Sequence, residues 1–168
     1  MIFRRKFRSI VLLLIPITLS LHSCMYSFKG NLPPHLESIA IPLFENQTAE
    51  YQVNETITDL LVQQFMEEAV LEVEDEDRAD SILEGTVTRI DDTPYTYDAA
   101  EQVEEYRVDI TLRVQWYDAV QEEVRLEQSI SGWGTYSAQE ATVARQDGIA
   151  EAIDMIADKI INAITANW

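Results

Sequence analysis

Tyr106-Arg107-Val108-Asp109-Ile110-Thr111-Leu112-Arg113-Val114-Gln115-Trp116-Tyr117 is the stretch that decides the fold. Tyr106, Val108, Ile110, Leu112, Val114 and Trp116 alternate with Arg107, Asp109, Thr111, Arg113, Gln115 and Tyr117. Unbroken alternation is the period of a β-strand, so this segment predicts a long strand with one face buried and the other wet. The following segment, about Glu123 to Tyr136, predicts a second strand with Val124, Leu126 and Ile130 on its core face. Keeping both apolar faces together requires paired residue numbers with an even sum. Pairing 113 with 127 sets Arg113 against Glu127, whereas 113 with 125 would oppose two arginines. Opposite charges across a pair are favoured by up to ~1 kcal/mol, which selects the first register and a loop at 118 to 122. In that register Arg107, Arg113 and Arg125 share the outer face with Trp133, and Arg107 lies opposite Trp133 as a cation–π pair.

Upstream, Ser81 to Asp91 predicts a strand whose alternation is blurred by Gly85 and which ends at Asp92-Thr93-Pro94. Residues 95 to 102 then read as a loop carrying Tyr95 and Tyr97. Glu37 to Phe44 predicts a short strand buried on both faces and ended by Pro42. Val53, Ile57, Leu60, Leu61 and Phe65 form one helical stripe over residues 50 to 69, and Ile149, Ile153, Ile156, Ile160 and Ile164 form another over 138 to 166. The charge run Glu72 to Asp80 reads as a solvated loop. The order β-α-β-β-β-α leaves sheet and helix faces that need each other. The expected fold is therefore α+β: a two-layer sandwich, a four-stranded mixed sheet with two helices on one face. The first two strands can lie parallel, and the last three form an antiparallel meander.

The N-terminus is of another kind. Arg4, Arg5, Lys6 and Arg8 precede an apolar run, Ile10 to Ser20, that is shorter than the ~20 residues needed to span a bilayer. That layout is a secretory signal peptide, with Sec the expected route. Leu21-His22-Ser23-Cys24 follows and holds the chain's single cysteine. It resembles the lipobox of bacterial lipoproteins, in which the peptide is cut before the Cys and the Cys is acylated. The expected division is a leader at 1–23, lipidated Cys24 and a tether at 24–36, and one domain at 37–168.

Composition bounds the function. The leader takes four of the 12 Lys+Arg and none of the 30 Asp+Glu, so the mature net charge is 8 − 30 = −22. A body that acidic has no basic footprint for nucleic acid and no electrostatic hold on anionic headgroups. Attachment to a membrane must then come from diacylglyceryl and acyl groups on Cys24, with no other cofactor expected. Of the two histidines, His22 leaves with the leader and His35 sits in the tether, so no nucleophile–His pair can be assembled. The five glycines form no phosphate loop, and Glu72, Glu74, Asp75, Glu76 and Asp77 lack the glycine-turned spacing of a calcium loop. A non-enzymatic protein without a bound metal is expected. On the outer sheet face, the bland reading is a solvated surface of cross-strand pairs. The sharper one makes Arg107, Arg113, Arg125 and Trp133 a contact surface for a partner or an anionic lipid headgroup.

Cys24-Met25-Tyr26-Ser27-Phe28-Lys29-Gly30-Asn31-Leu32-Pro33-Pro34-His35-Leu36, followed by Ser38-Ile39-Ala40-Ile41-Pro42-Leu43-Phe44-Glu45-Asn46-Gln47-Thr48, resembles the start of the LptE family of lipopolysaccharide (LPS)-assembly lipoproteins. The likeness is specific in Tyr26-Ser27-Phe28 and Ile41-Pro42-Leu43-Phe44-Glu45-Asn46, and architectural after that. It implies the same helices-on-sheet sandwich, an anchor on the periplasmic side of the outer membrane, and a role as scaffold and plug within a partner β-barrel, LptD. It also implies participation in placing lipopolysaccharide in the outer leaflet, with direct LPS binding in some members. Members credited with that binding use basic residues, to which a −22 body is a poor match. The alternative is a freestanding outer-membrane lipoprotein, serving as a ligand-binding or adaptor module of another envelope complex.

Overall fold

The computed structural model describes residues 32–68 and 70–166, without the side chains of 140–143 and 166. Cys24 and the leader lie outside the described residues. In chain order the elements are β1 (Ser38–Ala40), β2 (Glu45–Asn46), α1 (Val53–Glu68), β3 (Glu72–Val73), β4 (Ser81–Tyr97), β5 (Val103–Asp118), β6 (Glu123–Ser137), a 3-10 turn (Ala138–Glu140) and α2 (Ala141–Ala166). The class is α+β as expected, with a mixed sheet and two helices. Among the described residues the sheet has six strands where four were expected.

Its order is β3-β1-β4-β5-β6, with β2 also pairing β4. β1 runs parallel to β4 (Ile39↔Ser81) and to β3 (Ser38↔Glu72), and β4, β5 and β6 form the antiparallel meander. The extra strands are short. Pro42 lifts the chain off the sheet after β1, and it returns as β2 beside Thr86 and Val87. β3 falls at the start of the acidic run read as a solvated loop: Glu72 and Val73 add an edge pair to β1 before the charges begin.

β4 is longer than expected and passes through Asp92-Thr93-Pro94 without a break, pairing Pro94 with Tyr106. Among the described residues no strand flanks its other side beyond Val87, and proline is tolerated on such an edge, where no second ladder needs its missing N–H. Tyr95 and Tyr97 thus belong to a strand, and the loop shrinks to residues 98–102.

The alternation of β5 holds: Val108, Ile110, Leu112, Val114 and Trp116 are all fully buried. The β5–β6 register does not. Arg113 faces Ser129, and Glu127 faces Gln115. A bulge between Trp116 and Tyr117 places one extra residue, Arg125, in β6, since Trp116 pairs Leu126 while Tyr117 pairs Val124. The extra residue moves Val124 off the core face, and it is exposed.

α2 lies directly on β6 because Gly132 and Gly134 leave no side chains between them. A Cβ at Gly132 would stand 2.2 Å from the Ala152 carbonyl oxygen, and one at Gly134 2.1 Å from that of Gly148. The helix thereby sinks its stripe of Ile149, Ile153, Ile156, Ile160 and Ile164 into the core beside Ile57, Leu61 and Phe65 of α1. Each such buried side chain contributes roughly 1.5–3 kcal/mol. Gly85 performs the same service on β4, where its missing side chain admits the Phe44 ring. No helix among the described residues is long and apolar enough to cross a membrane.

Candidate interaction surface

Both helices cover one face of the sheet, which leaves the other bare among the described residues. Across β4, β5 and β6 that bare face runs in rows: Thr93–Arg107–Thr135, Asp91–Asp109–Trp133, Arg89–Thr111–Ser131, Thr86–Arg113–Ser129 and Glu84–Gln115–Glu127. With Glu105 in the next row it holds Arg89, Arg107 and Arg113 against Glu84, Asp91, Glu105, Asp109 and Glu127, so the surface is much less acidic than a chain of net charge −18 as a whole. The exposed side of the helices is different, with Glu55, Asp59, Glu67, Glu68, Asp147, Glu151, Asp154 and Asp158 facing solvent. The charge of the domain is therefore carried mainly away from the bare sheet.

Within the bare face, the Arg107 guanidinium donates to Asp109 at 2.9 Å and lies 5.9 Å from the Trp133 ring centroid. The cation–π contact expected from the sequence is thus present, on a diagonal between rows. Trp133 also meets Tyr95 at 6.2 Å between centroids. Arg89 pairs with Asp91 at 3.1 Å, so the facing carboxylates of Asp91 and Asp109 each have their own cation. Arg113 is exposed and has no ion-pair partner among the described residues. Six residues of strand separate it from Arg107, or about 20 Å.

Arg125 does not join them. The bulge turns it to the end of the hairpin, where its Nε and Nη2 donate to Asp118 Oδ2 at 3.0 and 2.8 Å. The same carboxylate is 2.7 Å from His35 Nε2, and its other oxygen accepts the backbone N–H groups of Val120 and Gln121. Burial alone would raise the pKa of Asp118, but the His35, Gln121 and Arg125 hydrogen bonds outweigh it and hold the carboxyl at about 2. Leu36 is buried and Leu32 packs on the core, so the described end of the tether is bound to the domain.

A second cluster closes the opposite end. Arg145 grips Asp92 through Nε and Nη2 and Glu50 through Nη1, while the Tyr136 hydroxyl donates to Asp92 at 2.9 Å. These bonds raise the affinity of Arg145 for its proton, and burial together with the neighbouring Asp92 raises the pKa of Tyr136. The cluster ties α2 to the free part of β4.

Sequence reasoning singled out neither Asp118 nor Asp92. Asp118 carried one signal, an Asp opening the Ala119–Glu122 turn, where its side chain can accept following backbone donors. Its distant partner His35 carried none. Among the described residues, no group of three or more His, Cys, Asp or Glu side chains could hold a metal ion.

Three solved structures illustrate the fold. The protein XCC0632 of Xanthomonas campestris superposes with a TM-score of 0.56 at 15% identity, covering 80% of this chain and 90% of its own. The hypothetical protein CT253 of Chlamydia trachomatis gives 0.55 at 7% identity, over 77% of this chain and 98% of its own. A minor lipoprotein of Acinetobacter baumannii gives 0.50 at 15%, over 80% and 95%. At such identities these likenesses concern the fold alone. No curated protein matches the sequence. The model of one family, "LptE: Lipopolysaccharide-assembly", matches residues 36–164. A match over most of the chain and the whole sandwich places the protein: it belongs to the LptE family of non-enzymatic, outer-membrane lipopolysaccharide-assembly lipoproteins.

Proposed function

We propose that the protein is anchored through lipidated Cys24 to the periplasmic side of the outer membrane. There it acts as scaffold and plug for an LptD-like β-barrel that places lipopolysaccharide in the outer leaflet. The observation that carries this reading is the bare sheet face. A three-stranded surface that no described residue covers, less acidic than the rest of the body, suits contact with a partner wall.

Attachment is consistent with the clamp at His35. Cys24 precedes Leu32 by 32 − 24 = 8 residues, a reach of no more than about 30 Å. The β5–β6 turn, beside which the chain enters the domain, is then the end nearest the bilayer. Stable hold there takes two or more acyl chains, which lipobox processing supplies.

Direct contact with LPS is assigned to Arg107 and Arg113 on the bare face, and contact with the barrel to Trp133 beside them. Arg125, spent on Asp118, contributes to the fold rather than to that contact. Purification of the affinity-tagged full-length chain from detergent-extracted membranes tests the scaffold role. Co-purification of a large outer-membrane barrel in comparable amount is expected, and its reproducible absence would overturn the reading. Arg107→Glu/Arg113→Glu tests the lipid contact: binding of LPS and its export should both fall, and unchanged values would remove these residues from the site.

A further inference from the structure

The geometry points to the outer half of the β4–β5 hairpin, residues 90–106, as a docking arm for a Lys- and Arg-bearing protein surface. This rests on the barrel reading, under which that surface belongs to the barrel. Three observations converge on it.

The first is the free edge. Among the described residues β2 pairs β4 only at Glu45↔Thr86 and Asn46↔Val87, and past Val87 the strand has β5 on one side and no strand on the other. An edge of that length invites addition of a foreign strand. Here it is blunted by Pro94 and by register shifts at Val87/Arg89, Pro94/Thr96 and Thr96/Tyr97. Recognition at this edge must therefore run through side chains.

The second is the kind of side chain displayed. Tyr95 is 48% exposed, Tyr97 59% and Trp133 37%, and the Tyr95 and Trp133 rings touch. Three large aromatics are thus partly in solvent at one end of the sheet. Tyr and Trp offer wide contact area with few rotatable bonds, and they dominate the residues that carry binding energy.

The third is charge. Asp91, Asp92, Asp98, Glu101, Glu104 and Glu105 lie between Ile90 and Tyr106 with no Lys or Arg among them. Asp92 is engaged by Arg145 and Tyr136, whereas Asp98, Glu101 and Glu104 face solvent. Acids set beside exposed tyrosines suit cations twice over, as counter-charges and as π faces. The same composition repels phosphate and anionic headgroups. It also repels a second copy, which would bring the same acids face to face.

The test uses the tagged full-length chain and the barrel that co-purifies with it. Tyr95→Ser/Tyr97→Ser and Glu101→Lys/Glu104→Lys are each expected to lower barrel recovery about tenfold. Tyr97→Phe should retain it. Thermal melts of each variant in the same detergent confirm that the domain stays folded. A photo-crosslinking residue at position 97 should capture the barrel, while one at Val120, at the opposite end of the sheet, should not. If the wild type recovers the barrel and both double variants recover as much, with no adduct from position 97, the docking arm is wrong and the barrel reading survives. A position-97 adduct between two copies of the chain would also overturn the cationic partner. If the wild type recovers no barrel, the reading beneath the inference fails, and the inference with it.

Discussion

His35 Nε2 stands 2.7 Å from Asp118 Oδ2, joining residues 83 positions apart. The contact lies where β1 begins, β4 begins, β5 ends and β6 begins, so it fixes where the chain enters the sheet. Asp118 is fully buried and serves five donors: His35, two guanidinium nitrogens of Arg125, and the amides of Val120 and Gln121. A buried carboxylate is tolerable only when so fully satisfied.

Asp118→Asn therefore destabilises the domain by about 2 kcal/mol at neutral pH, with a characteristic pH dependence. The folded pKa of about 2 lies below the ordinary value of 3.8. The stabilisation is accordingly complete above about pH 4 and is lost as pH falls toward 2. Urea unfolding of both proteins at several pH values checks this. The difference between wild type and variant should shrink toward zero across that window, and a difference that does not change with pH would mean the charge is not what stabilises.

Gly134→Ala separates α2 from the sheet. Its new Cβ would sit 2.1 Å from the Gly148 carbonyl oxygen and 2.9 Å from Glu151 Cβ, so backbone must move. A loss of roughly 1–3 kcal/mol in chemical denaturation is expected, against less than about 0.5 for Ser129→Ala on the exposed side of the same strand.

Cys24→Ser should leave a folded domain that fractionates with the soluble periplasm in cells lacking the barrel. Membrane association that persists in such cells would show that something other than acyl chains holds the protein.

The long β5 was legible because both its faces obey one rule, apolar inward and polar outward. Both helix stripes were legible for the same reason at a different period, and with them the α+β class and the mixed sheet. The β5–β6 register was not. Matching Arg113 to Glu127 weighed a cross-strand pair worth at most ~1 kcal/mol. The bulge that sets the true register places Arg125 on a buried Asp118, whose third partner is His35, and nothing local in β6 signals that arrangement.

The short strands escaped for a related reason. β3 shares two pairs with β1, from which α1 separates it, and its two residues open a run of acids. Pro94 suggested a break because proline ends central strands, and the sequence could not reveal that β4 is an edge there. The candidate site divided in the same way. Arg107 and Trp133 met as expected, because a diagonal neighbour in a sheet is still within reach of a long side chain. Arg125 was lost to the bulge.

Depletion of this chain in its native cell tests its role in lipopolysaccharide assembly. Surface lipopolysaccharide would be labelled on intact cells and compared with the total in lysed cells. The surface fraction should fall as the chain is depleted while the total is maintained, and wild-type chain should restore it. An unchanged surface fraction in cells that no longer contain the chain would contradict a role in lipopolysaccharide assembly.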